Sequence, residues 1–510
     1  MSSGVFRLAA LPVLVSLALV GCSLAPKYER PALPVPEQYP DSNAVNNSGP
    51  RSANAVSPQV GSSSDLGWSE FFTDPHLQAL ISQALANNRD MRIAVGRVEE
   101  ARAQYGIAAS DRLPTLGIGG NAQITRNPEN LRTSADADSI TRYYQAGVGM
   151  MAFELDFFGR VRNLSEAAFQ QYLATAQARR TVHINLVAQV AEAYFRLRTT
   201  LQLKALMQST QKSRGNTLSL VQARYDGGIA SALDLNQARA QLDTVKADLV
   251  AIERAEAQAR NALQLLLGSP VANDLPEPAV FGRDQVLAAI PVGLPSELLE
   301  RRPDIMAAEN SLLAANANIG AARAAFFPSI SITGLLGFAS ADLGGLFGSG
   351  QHFWQFAPQL QMPIFGGGVG GNLDLAKARN NIAVAEYEKT IQVAFREVAD
   401  ALAGEATYSE QLDALRALEH SAQETLRLAT LRYETGIDSF LQVQNAEVDL
   451  YSTQQSFLQT GMDSLLNRVE LYKALGGGWL KDSAQGSDST DASAETGSVE
   501  GVGTARTKIQ

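Results

Sequence analysis

The ten residues from Arg224 to Leu233, RYDGGIASAL, return 208 positions later from Arg432 to Leu441 as RYETGIDSFL, with six of the ten identical. The register holds without a gap from Ala191-Glu192-Ala193 against Ala399-Asp400-Ala401 to Leu267-Gly268 against Leu475-Gly476. Duplication constrains the fold more than any local motif, because whatever one copy builds the other must build again. Asp90, Gly106 and Pro114 match Asp304, Gly320 and Pro328 at an offset of 214, and Phe158-Gly159 matches Phe365-Gly366 at 207. Each copy reads helix, two strands, long helix, turn, helix. The first is expected over residues 65–285 and the second over 286–480, giving a mixed α and β, internally duplicated fold.

No proline occurs from Glu129 to Ser269, nor from Ile364 to the C-terminus, which leaves two windows where helices run uninterrupted. A single helix from Arg160 to Arg224 would be roughly 100 Å long at 1.5 Å per residue. No compact globule of this size needs such a rod. Leu235, Ala238, Leu242, Val245, Leu249 and Ile252, then Ala259, Leu263 and Leu266, step by threes and fours as a heptad seam interrupted only by Glu256. The second copy places Val443, Ala446, Leu450 and Phe457 on the equivalent seam with Thr453 and Thr460 among them, so its packing is expected to be more polar or its seam shifted.

Leu116, Ile118, Ala122 and Ile124 alternate with Gly117, Gly119, Asn121, Gln123 and Thr125, and Ile330 and Ile332 alternate with Ser331 and Thr333. Trp354, Phe356, Leu360 and Met362 alternate with Gln355, Ala357, Gln359 and Gln361. Period two predicts strands with one apolar and one polar face, and a less regular partner is expected from about Tyr143 to Phe157. Loops near 127–142 and 341–352 join each pair. Pro358 counts against the last strand, since a central strand loses a ladder bond there; the outward aromatic set favours it. Four strands cannot close a barrel, because transmembrane barrels need at least about eight, and open edges in lipid leave backbone groups unpaired. A membrane-spanning form must oligomerise. Two copies would give eight strands and three would give twelve, and the small polar residues Gly117, Gly119, Asn121, Ser331, Thr333 and Gln359 favour the open lumen of the larger barrel.

The chain's ends set its location. Arg7 is the one charged side chain before the apolar run Leu8 to Val20, so residues 1–21 read as a signal peptide. Leu19-Val20-Gly21-Cys22 follows as a lipobox, and Cys22 is the only cysteine of the 510 residues, which excludes disulfides within the chain. Lipid on Cys22 would anchor the protein to a bilayer, and Ser23 rather than Asp follows it. Residues 22–64, rich in Pro, Ser, Asn and Gly, read as an extended segment, and 481–510 as a solvated tail. After Cys22 no run of about 18 apolar residues offers a transmembrane helix. The formal charge of −10 argues against nucleic acid, whose phosphates need clustered Lys and Arg.

Catalysis finds little support. His76, His183, His352 and His420 are scattered without metal-ligand spacing. Gly366, Gly368 and Gly371 satisfy GxGxxG, but the strand before them alternates, no parallel strand follows, and the first copy has Gly159-Arg160-Val161-Arg162-Asn163 in the same place. A flexible strand-to-helix junction explains these glycines. No enzyme and no metal site is expected.

The lipobox, the two strand pairs, RYDGGIASALD with RYETGIDSFLQ, ERRPDI at 300–305 and LYKALGGGW at 471–479 resemble the TolC-like outer-membrane efflux proteins, within them the lipoprotein branch typified by OprM. The resemblance covers roughly residues 22–480. It implies a homotrimer whose twelve-stranded β-barrel, four strands per chain, crosses the outer membrane of a Gram-negative bacterium above a long α-helical periplasmic barrel. It also implies a periplasmic adaptor (membrane fusion protein) and an inner-membrane resistance-nodulation-division pump as partners, outer-membrane lipid around the barrel, and no cofactor beyond S-diacylglycerol and an N-acyl chain on Cys22. The function implied is a passive duct of a tripartite multidrug efflux system. A duct for type I protein secretion would share nearly every feature, whereas a periplasmic coiled-coil adaptor lipoprotein would leave the paired strands unexplained.

The repeated turns also have a local reading. Gly228 and Gly436 supply the left-handed residue that ends a long helix. Ser231 and Ser439 are expected to cap the next helices, with Asp234 and Gln442 completing capping boxes, while Tyr225, Tyr433, Leu233 and Leu441 pack the hairpins. By the resemblance, Arg224, Tyr225, Gly228 and Ser231 with Arg432, Tyr433, Gly436 and Ser439 form the adaptor-docking periplasmic tip. The family closes its tip with acidic rings, but Gln442 and Asn445 stand where the second copy would supply them. Asp234 and Asp438 remain as the acidic gate candidates.

Overall fold

The computed structural model describes residues 23–39, 66–128, 138–271, 275–277, 279, 282, 285–287 and 295–482. The signal peptide, Cys22, residues 40–65 and the tail beyond 482 lie outside the described residues. In chain order the elements are helices α1 (Trp68–Phe71), α2 (Pro75–Asn87) and α3 (Arg89–Ser110), strands β1 (Leu116–Arg126) and β2 (Ile140–Leu155), and helices α4 (Arg160–Asp226) and α5 (Ala232–Leu267). The second half runs α6 (Leu298–Arg301), α7 (Pro303–Ala324), β3 (Ser329–Ser340), β4 (His352–Gln361), α8 (Val369–Glu434) and α9 (Phe440–Ala474). The duplication is visible in the lengths. Helices α3 and α7 each have 22 residues, α4 and α8 have 67 and 66, and α5 and α9 have 36 and 35.

The chain divides into two compact units, one from Met1–Ala32, Gly96–Gln177 and Met306–Lys389, the other from Leu33–Val95, Ala178–Ile305 and Thr390–Gln510. The first holds the sheet, an antiparallel meander in the order β1-β2-β3-β4. Pairing of Ile118 with Val148, Val148 with Leu336 and Leu336 with Trp354 runs one apolar row across all four strands. Strand β2 starts three residues before the expected Tyr143. A register shift between Met150 and Phe153 interrupts its alternation, and Ala152 within it has a φ of 47°. Such a bulge inserts one residue and returns the following side chains to their faces. Pro358 sits opposite Ile332 in β4, an edge strand of this chain's sheet, where a missing N–H is tolerated. Three consecutive glycines, Gly366 to Gly368, have φ of 79°, 71° and 68° between β4 and α8, the junction expected there.

Helix α4 begins where Asp156 accepts the amides of Val161 and Arg162 at 3.1 and 2.7 Å, a carboxylate placed on the positive end of the helix dipole. Ala167 packs with Ala314 and Ala317, small residues that let α4 and α7 approach closely. The N-terminal segment lies across the same helices. Ser23 donates to Asn163 at 2.8 Å, Arg323 and Asn316 donate to the carbonyls of Leu24 and Pro26, and Tyr28 and Arg30 both reach Glu309.

In the second unit the two copies close their helix ends in parallel fashion. The Asn88 amide donates to the Leu266 carbonyl at 2.8 Å, and the matching Arg302 donates to the Ala474 carbonyl at 3.0 Å. Arg302 also pairs with Asp304 and Glu397, which accounts for the ERRPDI motif. The core joins Phe71, Leu77, Ile81, Phe195, Leu267, Leu465 and Tyr472, and Tyr472 stacks on Phe71 at 4.0 Å while donating to the Leu66 carbonyl. Glu256, the break in the heptad, is paired with Lys204 at 3.0 Å and Arg260 at 2.8 Å. Thr453 and Thr460 are buried, so the second seam carries the polar contacts expected of it.

Candidate functional site

Register sorts the sheet's side chains into two faces with different chemistry. On one, Leu116, Ile118, Ile124, Val148, Leu336, Trp354, Phe356 and Leu360 project together, with Ile118 88% and Trp354 76% exposed. An apolar surface of this extent is a contact surface for another apolar phase. The opposite face carries Asn121, Gln123, Gln145, Ser331, Thr333, Gln355 and Gln359 with Gly117 and Gly119. Among its residues only Glu154 is charged, and Arg160 holds it in a paired ion bridge. Glycines allow the backbones of this face to approach. Gly147 stands opposite Gly337, where a Cβ on Gly147 would lie 2.5 Å from the Leu336 carbonyl oxygen and one on Gly337 would collide with the Ala146 carbonyl. Strands β1 and β4 each pair on one side only.

The repeated turns lie in the other unit and share their hydrogen bonds. The Ile229 amide donates to the Arg224 carbonyl at 2.8 Å, and the Ile437 amide to the Arg432 carbonyl at 2.9 Å. Gly228 and Gly436 have φ of 74° and 78°, the left-handed residue such helix endings require. Beyond this frame the copies diverge. Ser231 and Asp234 form the expected capping box, at 3.1 and 3.0 Å. Ser439 makes no side-chain cap, contrary to expectation, because the Gln442 amide is already taken by the Ser439 carbonyl at 3.2 Å. Asp438, which replaces Ala230 of the first copy, pairs with Arg432 at 2.6 Å. That contact holds its carboxyl below the ordinary carboxylate range, chiefly through the Arg432 hydrogen bond, with desolvation opposing and the Arg432 charge assisting.

Ala230 leaves Arg224 without the counterpart of the acid that pairs with Arg432. Arg224 crosses to the second copy, with its guanidinium 4.6 Å from the centre of the Tyr433 ring and a bond to the Glu434 carbonyl at 3.1 Å. Tyr433 is buried against Phe440 within a cluster of Val221, Leu235, Ala429 and Val443. Tyr225, Leu233 and Leu441 do not join it. They are 41%, 66% and 48% exposed, so the hairpins are packed by one tyrosine where two tyrosines and two leucines were expected. Gln442 and Asn445 are exposed on α9.

No helix among the described residues is long and apolar enough to cross a membrane. Residues 80–269 and 294–477 match the family described as outer membrane efflux protein, in two segments that follow the duplication. The chain belongs to that family. Among relatives of this outer membrane efflux protein, the solvent efflux pump outer membrane protein SrpC of Pseudomonas putida is 45% identical over 92% of this chain and 98% of its own. The cation efflux system protein CusC of Escherichia coli is 42% identical over 92% and 98%. The open state of the MtrE outer membrane channel of Neisseria gonorrhoeae superposes with a TM-score of 0.79 at 38% identity, over 91% of this chain and 100% of that one. The family is one of channels rather than enzymes, and its place is the outer membrane. This chain is the outer-membrane channel of an efflux system.

Sequence reasoning named the turns but not the links between them. The Arg432–Asp438 pair is signalled where the copies differ, Asp438 against Ala230. The contact of Arg224 with Tyr433 has no such signal, since both residues are shared by the copies and only the fold decides which tyrosine is reached.

Proposed function

We propose that three copies close the sheet into a twelve-stranded barrel and form the passive duct of a tripartite multidrug efflux system. The observation that carries this reading is the sheet itself: one exposed apolar face, one almost uncharged polar face, and two unpaired edges. An edge left open in lipid strands backbone groups at several kcal/mol each, so closure with further copies is the arrangement this geometry favours. The polar face then lines the lumen with amides, hydroxyls and glycines. The names of relatives speak of solvents and cations; for this chain we propose drugs and other small molecules.

Two repeats, 65–285 and 286–480, build each chain's share of the duct. The paired turns serve as the periplasmic tip, where Arg224, Tyr225, Gly228 and Ser231 with Arg432, Tyr433, Gly436 and Ser439 meet an adaptor, which in turn couples to a resistance-nodulation-division pump. The exposed Tyr225, Leu233 and Leu441 support that reading, since unburied apolar groups at a turn suit a partner helix. Asp234, Asp438, Gln442 and Asn445 are the gate candidates. Lipid on Cys22 fits the bond from Ser23 to Asn163 in the first turn of α4, which ties the neighbouring residue close to the sheet's helical end.

Conductance of the purified protein across a planar bilayer, with its oligomeric state in detergent, tests the duct. A monomeric, silent protein would refute it. Deleting the gene should raise antibiotic susceptibility and leave protein export unchanged, and the reverse result would identify a secretion duct. Replacing both Asp234 and Asp438 by Asn should change ion flux through the pore; unchanged flux removes them from the gate.

A further inference from the structure

The apolar face of the sheet ends in two arginines. Arg126 closes β1 opposite Ile140, and Arg142 in β2 stands opposite Ile124, so both belong to the row of Leu116, Ile118 and Ile124. They are diagonal neighbours, which sets them about 7–8 Å apart across the strand pair. Both are exposed, and neither guanidinium takes part in an ion pair or hydrogen bond among the described residues. Every other outward position from Leu116 to Ile124 is uncharged, a span of about 27 Å at 3.4 Å per residue, close to the apolar band of a membrane barrel.

The helices leave the sheet at its other end, through Leu116, Leu155, Ser329 and Gln361. The arginines therefore lie at the hairpin end, which faces the cell exterior if the helices are periplasmic. Further down the sheet, where Phe338 pairs with Ala146, the second hairpin gathers Phe338, Phe347 and His352, with ring centres 5.3 and 4.7 Å from that of Phe338. This pattern has guanidiniums at the rim of an apolar wall, outside the row that carries Gly120, Ala146, Phe338 and His352. Arginine forms forked bonds to phosphate oxygens, and a cation on the lipid face costs little only at the interface.

We propose that Arg126 and Arg142 bind a phosphate of the phosphorylated glycolipid in the outer leaflet, with its acyl chains lying along Ile124, Val148 and Leu336. The assignment rests on the barrel reading above. It places a lipid site on the outside of the duct, separate from the lumen and from the paired turns.

The test uses the full-length protein in nanodiscs, titrated with hexa-acylated lipid A and, separately, with phosphatidylglycerol. At about fivefold per arginine, the double variant Arg126→Gln with Arg142→Gln should bind lipid A about twenty-fivefold more weakly. Arg97→Gln, on α3, should bind as the wild type does. Undiminished lipid A binding by the double variant overturns the proposal, as does equal binding of phosphatidylglycerol and lipid A by the wild type. Trp354 provides the check on the underlying reading. In a Trp479→Phe background its fluorescence should be quenched by lipids brominated in the acyl chain, because Trp68 is buried. Absent quenching would refute the membrane-facing sheet; quenching with unchanged lipid A binding would refute the arginine site alone.

Discussion

Replacing Ser231 by Ala removes the hydroxyl that accepts the Asp234 amide at 3.1 Å, and the amide loses its only capping partner in the first turn of α5. Loss of an N-cap side chain costs about 1 kcal/mol, which corresponds to local opening about five times more frequent. The second copy supplies an internal control. Ser439 occupies the matching position, yet the Gln442 amide is bonded to the Ser439 main-chain carbonyl at 3.2 Å, so Ser439→Ala removes no bond. Hydrogen–deuterium exchange by mass spectrometry on the intact protein in detergent reads both sites at once, because local opening sets amide exchange. Exchange at Asp234 should quicken about fivefold in Ser231→Ala, and exchange at Gln442 should not change in Ser439→Ala. Ser231→Thr should restore protection, since Thr caps nearly as well. Equal acceleration at the two sites, or none at Asp234, would refute the claim that the copies cap their helices differently.

Gly337→Ala should abolish a heat-resistant oligomer on electrophoresis, since its Cβ meets the Ala146 carbonyl, whereas Gly119→Ala, with open space at that position, should leave it intact. Arg302→Met should lower stability by about 2–3 kcal/mol, less than for breaking a fully buried pair, because Asp304 and Glu397 keep 31% and 25% exposure; Asn88→Ala should cost about 1 kcal/mol, and denaturant midpoints for the two variants give the comparison. Burial raises the pKa of Glu447 above its ordinary 4.5, with the Thr217 hydrogen bond and the Arg214 charge offsetting part of the rise. The stability it contributes is complete below about pH 4.5 and falls as pH climbs through the raised value. Glu447→Gln should therefore gain in melting temperature over the wild type from pH 4.5 to 7.5, and a difference independent of pH would show that Glu447 is not the titrating group.

Long helices were legible because proline is absent from two matched windows and the copies confirm each other's limits. The strands were legible wherever apolar and polar residues alternate without a break, as in β1 and β4. Strand β2 begins three residues before and ends two residues before its expected limits, and the bulge at Met150 to Phe153 breaks the alternation that period reading depends on. Its cause lies in pairing with β3, which no window of β2 contains. The turn glycines were readable from residue type, since few residues tolerate a positive φ. The Ser439 cap was misread for the converse reason: serine permits a side-chain cap without compelling one, and a main-chain carbonyl had already taken the amide. Lys204 answers Glu256 from 52 residues away, so the heptad showed the interruption and not its partner.

The unpaired outer edges of β1 and β4 bear on when the protein enters a membrane, as well as on what it becomes there. A single chain carries an apolar wall suited to lipid and two backbone edges that lipid rejects, so it is penalised in water by one and in the bilayer by the other. Only assembly removes both penalties. Insertion is thus tied to stoichiometry, and for a three-chain closure the amount inserted at low abundance rises with the cube of chain concentration, and the inserted fraction with its square. A shortage of chains would then appear as channels missing altogether, with none of them half-open.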